Sequence, residues 1–205
     1  MKTGYKMKKI VVLMLFVGFL GGNLYSQNLS RRAKADRLAQ IANPNLGVKE
    51  VKSQFDTLII VSLAEELFYP FGKYKSVNEF VQKGNIEWYR SAERHDFSDT
   101  LDITVYNFAR LDGSYLNFYQ SVTTGLMDFI DGSITDKDLV LKNGMHVGMS
   151  KQEVLEKYFK NPPRAYTEDI KVIKIFSGLY EIAQIFSFDD EQVSSIGFSS
   201  YYIYY

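Results

Sequence analysis

The sequence predicts an α+β fold made of two tandem units, each a helix packed on an antiparallel sheet, with the two sheets able to join into one curved surface. Three observations lead there. Two segments carry reciprocal helix-capping signals ahead of apolar residues spaced for one helical face. Each is followed by aromatic-rich runs separated by turn residues. The two sets recur in the same order at a nearly constant spacing.

The first capped segment is Lys75-Ser76-Val77-Asn78-Glu79-Phe80-Val81-Gln82-Lys83-Gly84. Ser76 and Glu79 make a capping box: the hydroxyl accepts from the N3 amide and the carboxylate reaches back to the N-cap amide. Val77, Phe80 and Val81 share a face, and Gly84 suits a left-handed cap. The period then changes to that of strands over Ile86–Arg94, Leu101–Leu111 and Ser114–Thr123, with Asp112-Gly113 as a two-residue hairpin signal. The second segment, Met149–Phe159, repeats the box with Ser150 and Glu153. Its apolar face is Val154, Leu155, Tyr158 and Phe159, and Asn161-Pro162-Pro163 stops it. Strands follow over Ile170–Ser177, Tyr180–Phe188 and Gln192–Tyr204, with Asp189-Asp190-Glu191 turning between the last two.

At an offset of 74, Ser76, Glu79, Phe80, Val81 and Lys83 fall on Ser150, Glu153, Val154, Leu155 and Lys157. At an offset of 78, Phe108, Asp112, Tyr115 and Phe118 fall on Phe186, Asp190, Val193 and Ile196. Each copy therefore reads as a capped helix and three antiparallel strands. Between the copies, Asp131–Asp138 has the residues of an acidic turn. It resembles part of a calcium loop, but Met127 and Phe129 would occupy ligand positions and cannot bind a hard cation.

Ahead of the units, residues 29–42 (LSRRAKADRLAQIA) read as a short basic helix, capped by Ser30 and barred by Pro44 from continuing. Its apolar face is mostly alanine, which predicts a solvated or loosely docked helix. Residues 55–69 fit either a strand or a helix ending before Pro70. A buried strand over Leu58–Leu63, then a short helical turn, is the preferred reading. Upstream, Lys2, Lys6, Lys8 and Lys9 precede an uncharged apolar run from Ile10 to Gly22, the pattern of a secretory signal peptide. Cleavage after Ser26 starts the mature chain at Gln27. Cleavage after Gly22 is the second choice, and an uncleaved anchor the alternative. The expected organisation is a signal peptide over 1–26, a lead-in helix and strand over 27–67, a first unit over 68–142 and a second over 143–205.

Composition narrows the function. The chain has no cysteine, which excludes disulfides, thiol catalysis, thiolate metal sites and a lipid anchor on an N-terminal cysteine. Formal charge is zero overall, and four of the lysines lie in the signal segment, so the rest is about four units negative. That argues against a nucleic-acid partner. Only His95 and His146 are present, without metal-ligand spacing, and both read as surface or turn residues. No phosphate loop is present, and no cofactor or metal is expected. The triplets Asp56-Thr57-Leu58 and Asp99-Thr100-Leu101 resemble O-glycosylation acceptors of exported bacterial proteins. Tyr and Phe occur 15 times each, enough for sheet packing with some left for a contact surface. An outer-membrane barrel ending in Tyr201-Tyr202-Ile203-Tyr204-Tyr205 is the competing architecture. Two capped helices and the lack of repeated lipid-facing alternation argue against it.

Asn143-Gly144-Met145-His146-Val147-Gly148-Met149-Ser150-Lys151-Gln152-Glu153-Val154 resembles the signature of the SmpA/OmlA-type small outer-membrane proteins and of the beta-lactamase-inhibitor-protein-like (BLIP-like) fold. In these families a strand runs through a Gly-Met-(Ser/Thr) turn into a capped helix carrying Glu-Val. The stretch Ile185–Ile196 is similar to their final hairpin: an aromatic strand, an acidic turn, then Val-x-x-Ile. The resemblance covers 139–205 well and 68–138 more weakly. It implies a tandem fold that binds proteins through a sheet face, as an enzyme inhibitor or as an accessory of outer-membrane assembly. The assembly lipoproteins carry a lipid-bearing cysteine that this chain lacks, and no inhibitor site residue carries over.

The expectation is thus a non-enzymatic module, periplasmic or secreted, that binds a protein partner in the periplasm or at the outer membrane. Trp88, Tyr89, Tyr106, Tyr115, Tyr119, Tyr201 and Tyr202 are the candidate contacts, as strand aromatics able to face outward. A structural accessory of the outer membrane is the alternative.

Overall fold

A computed structural model describes residues 29–84, 88–98, 101–121, 125–178 and 182–200. Residues 1–26, expected from the sequence to be a signal peptide, Tyr201, Tyr202 and most of the Asp99-Thr100-Leu101 triplet lie outside them. Helices form over 29–40 (α1), Val77–Gly84 (α2) and Lys151–Tyr158 (α3). The strands are β1 (Glu50–Gln54), β2 (Thr57–Ser62), β3 (Tyr89–Ser98), β4 (Leu101–Ala109), β5 (Tyr115–Gln120), β6 (Met127–Ile134), β7 (Val172–Ser177), β8 (Ile182–Asp189) and β9 (Gln192–Ser200).

All nine strands pair into one open sheet of order β1-β2-β7-β8-β9-β6-β5-β4-β3. Only β2 and β7 run parallel; every other neighbour is antiparallel. β3–β6 and β7–β9 are two meanders, and their last strands meet at a seam from Asp131↔Ser199 to Ile134↔Ile196. β1 and β3 are the two edges, so the sheet does not close into a barrel.

The caps work as their residue types dictate. Ser150 Oγ accepts from the Glu153 amide at 3.2 Å, and Glu153 Oε2 accepts from the Ser150 amide at 2.8 Å. In α2, Ser76 Oγ likewise accepts from the Glu79 amide at 3.2 Å, but Glu79 Oε2 takes the Lys75 amide at 2.7 Å instead of the N-cap amide. The β8–β9 turn puts Asp190 (φ 44°) and Glu191 (φ 69°) in the left-handed region, the geometry that matches strand twist in a tight hairpin.

All three helices bury residues in one core on one side of the sheet. Ala35 and Leu38 come from α1, Val77 and Phe80 from α2, and Val154, Leu155 and Tyr158 from α3. Phe80, Phe118, Phe129 and Phe198 form a chain of rings with centroids 5.0, 4.8 and 5.0 Å apart, which carries packing across the β6–β9 seam. Each such pair is worth about 0.5–1.5 kcal/mol beyond its buried area.

Several sequence expectations change. The α1 helix is docked rather than loose. Ala35 and Leu38 are buried, the Asn43 amide donates to the Tyr158 carbonyl at 2.7 Å, and Arg37 bonds the Tyr166 hydroxyl at 2.7 Å. A small apolar face suffices because alanine lets the helix approach the core closely. Ser30 lies inside the helix rather than capping it. Four strands, β3–β6, follow α2 where three were expected. Residues 131–134, expected to begin an acidic turn, are the second half of β6, and β5 pairs along them from Asn117↔Asp131 to Tyr115↔Ser133. Pairing on both sides outweighed the turn propensity of Asp-Gly-Ser. The β4–β5 connection is a wider loop, closed by the Arg110 amide on the Ser114 carbonyl at 2.8 Å. The β2 strand and its following helical turn, Glu65–Leu67, form as expected, but β1 was not anticipated.

Candidate functional site

Strand alternation gives the sheet a second face, opposite the helices. On it the register aligns Val105, Tyr119 and Asp128, then Asn107, Asn117 and Asp131, then Ala109, Tyr115 and Ser133. Across the seam the same face continues through Ser199 and Gly197 to Ala183, Ile185, Phe176 and Lys174. None of these residues belongs to the helix-side core, and no described helix packs against them. Val61, Val105 and Ala183 are nonetheless buried on this face.

The β4–β6 part of this face is aromatic and acidic. Tyr115 is 43% exposed. Asn117 Nδ2 donates to Asp131 Oδ1 at 2.6 Å, which holds both side chains in place. Asp128 is half-buried and meets the Tyr119 hydroxyl at 3.5 Å. Burial pushes its carboxyl above the ordinary aspartate value, although the hydroxyls of Ser121, Tyr119 and Tyr69 oppose that shift. Tyr69 is raised as well, first by its own burial and then by the nearby Asp128 charge. The segment carrying Tyr69 reaches this point because β6 outruns β9. The Met127 amide there donates to the Tyr74 carbonyl at 2.8 Å, and Phe71 packs on Phe129 and Phe198.

The expected contact residues separate. Tyr115 and Tyr119 share the second face. Tyr106 lies on the helix side, paired with Phe118 and beneath the Arg90 guanidinium at 5.3 Å. Trp88 also packs against the helix-side core, edge-on to Phe108 at 6.2 Å, and the Arg110 guanidinium covers it at 5.8 Å. Tyr89 pairs with Ala109 in the register. Strand parity explains the split: Tyr106 is one residue out of phase with Val105 and Asn107. Sequence reasoning missed Asp128, Asn117, Asp131 and Tyr69. The alternation Met127-Asp128-Phe129 was the available signal, hidden by the turn-like Asp131-Gly132-Ser133.

A cleft of about 680 Å³ opens at the loop end of the sheet, lined by Arg110, Asp112, Asp136, Val147, Gly148 and Val193 among others. Arg110 is held there by Asp112 at 3.2 Å and by a close pair with Asp136, and Leu111 on the rim is 90% exposed. His146 turns its Nδ1 to the Val147 carbonyl at 2.8 Å. In the Asp56-Thr57-Leu58 triplet, Leu58 is fully buried at the start of β2. Among the described residues no group of three or more His, Cys, Asp or Glu side chains could hold a metal, and no helix is long and apolar enough to cross a membrane.

No family model, curated protein or solved structure matches the chain.

Proposed function

We propose that this chain is an exported, non-enzymatic protein-binding module, BLIP-like in fold, that recognises its partner through the second face of the sheet. Two tandem helix-plus-sheet units, α2 with β3–β6 and α3 with β7–β9, account for its architecture. One observation carries the functional reading: Tyr115, Asn117, Tyr119, Asp128 and Asp131 lie side by side on a face against which no described helix packs. Tyrosine beside fixed polar groups is the composition of protein-recognition surfaces, because the ring adds contact area with little side-chain entropy to lose. The face sits on paired strands, so it is rigid before a partner arrives.

The test is to purify the protein from cells expressing its complete sequence and seek a saturable, stoichiometric complex with a protein of the same compartment. Such a complex should weaken at least tenfold in Tyr115→Ala and persist in Leu111→Ala. A complex indifferent to Tyr115 and Tyr119, or none at all, sinks the proposal. Fractionation of the same cells separates the two expected settings: a soluble periplasmic pool supports the binding module, and co-sedimentation with outer membrane supports the accessory role.

A further inference from the structure

Among the described strands, β1 has a neighbour on one side only. Its hairpin with β2 has a two-residue loop, Phe55-Asp56, closed by the Gln54↔Thr57 pair. In such a hairpin the closing pair is hydrogen-bonded and bonded pairs alternate along the strands. The backbone groups of Lys52 and Glu50 therefore face β2, while those of Val51 and Ser53 turn outward. The Lys49 amide turns back to the Val61 carbonyl at 2.8 Å, which ends the open edge at Glu50. An exposed apolar side chain stands at each end of this edge. The hairpin loop holds Phe55 at φ 55°, a left-handed conformation that bulky residues disfavour, and leaves it 71% exposed. At the other end, Leu63 is 57% exposed and lies against Gly47, to whose carbonyl its amide donates at 3.3 Å.

We propose that β1 is a self-association edge: a second copy of this chain pairs with it antiparallel, about a two-fold axis at Val51, and continues the sheet from one molecule into the next. The inference is independent of the protein-binding face. Charge complementarity selects both the occupant and the register. Glu50 and Lys52 lie on one face of β1, where they pair with each other at 2.8 Å. A strand that pairs with itself about a two-fold axis keeps like faces together, so the axis passes through a single residue. Centred on Val51, whose outward N–H and C=O then exchange two bonds, the pairing sets Glu50 opposite Lys52 of the second copy and Lys52 opposite its Glu50. Centred on Glu50 or Lys52, it sets like charges face to face; centred on Ser53, it sets Lys52 opposite a neutral Gln54. A lysine on an edge strand normally discourages pairing. With Glu50 two residues away, it instead singles out one register. That register carries Phe55 of each copy to the Gly47 and Leu63 end of the other, so both exposed apolar side chains leave water together. The strand has five residues, so the interface is small and the dimer forms and dissociates readily with concentration.

The test is sedimentation velocity of the protein, purified from cells expressing its complete sequence, across a wide concentration series. A reversible monomer–dimer equilibrium is expected. Lys52→Glu and Glu50→Lys should each weaken it by about tenfold, because each sets like charges opposite at both ends of the pairing. Mixing these two variants should restore the dimer, since each supplies the charges that the other lacks. Loss of the Glu50–Lys52 pair within one strand is not mended by mixing, so this arm isolates the contact between copies. Phe55→Gly should weaken dimerisation roughly threefold without lowering the thermal unfolding midpoint, because glycine accepts the left-handed φ. Tyr115→Ala, on the second face, should dimerise like the parent. Circular dichroism reports the fold of every variant, and Glu50→Lys combined with Lys52→Glu in one chain, which keeps the charge pair within the strand, should match the parent in both measurements. A monomer at every concentration, a dimer indifferent to the charge reversals, no recovery on mixing, or a dimer lost in Tyr115→Ala would overturn the proposal.

Discussion

Asp128 marks where opposing forces meet at a single residue. Its folded pKa lies above the ordinary value, so the folded protein holds that proton more tightly than the unfolded chain does. Its contribution therefore favours folding in acid and is lost as pH rises through the folded value. Asp128→Asn, which stays neutral, should be more stable than the parent near neutral pH and close to it at roughly pH 3. Urea denaturation at both pH values checks this, and a pH-independent difference would count against it. Gly132 is a second residue with a steric reason to be what it is. A Cβ there would stand 2.7 Å from the Tyr115 carbonyl, 2.8 Å from Leu116 Cδ2 and 3.0 Å from the Phe129 ring. The carbonyl belongs to the sheet backbone and has little room to retreat. Gly132→Ala should cost about 1–3 kcal/mol by overpacking, read as a lower midpoint in thermal or urea unfolding.

Among the elements, the two capped helices invite direct comparison. Ser150 and Glu153 complete a reciprocal box, whereas the Glu79 carboxylate takes an amide one residue earlier. Ser150→Ala should cost about 1 kcal/mol, and Ser76→Ala a similar amount or less. Glu153 is held below its ordinary pKa first by the Ser150 hydroxyl, then by the Ser150 amide. A lowered pKa stabilises the fold above the unfolded value and loses that contribution as pH falls through the folded one. The Ser150→Ala penalty should accordingly shrink on acidification, a trend opposite to that of Asp128. The start of α3 is also tied to the β8–β9 turn. Lys151 is 4% exposed, its Nζ meets Glu191 Oε1 at 2.5 Å, and its amide donates to the Glu191 carbonyl at 2.7 Å. Glu191→Gln leaves a buried cation without its counter-charge and should cost roughly 1–3 kcal/mol. Lys151→Met removes the charge itself and should be closer to neutral. Chemical denaturation of both variants decides the order, and the reverse order would refute this account.

For the molecule as a whole, the seam between the meanders matters most. Hydrogen bonds cross it from Asp131↔Ser199 to Ile134↔Ile196, and the phenylalanine chain crosses it on the helix side. One buried cluster includes residues of α1, α2 and α3. The described part should therefore unfold as a single cooperative unit. Phe80→Ala in α2 and Leu38→Ala in α1 should each lower one common transition, by about 3–5 and 2–5 kcal/mol respectively. Far-UV and near-UV circular dichroism monitored together would show it. Two separated transitions would mean that the seam does not couple the halves.

The helices and most strands were legible in the sequence because their signals are local. A capping box, a 3.6-residue period or a Pro-Pro stop acts within a few residues, and α2, α3 and β7–β9 lie close to where those signals put them. Absence of cysteine and near-zero charge are likewise properties of the chain alone. What only the tertiary structure decided depends on residues far apart. β6 is a strand because β5 and β9 pair with it, and α1 is docked because Tyr158 and Tyr166 receive it. The faces were settled the same way. Strand period shows that neighbours point apart, but only the packed helices determine which parity is core. Tyr106 accordingly went to one side, and Tyr119, beside Asp128, to the other.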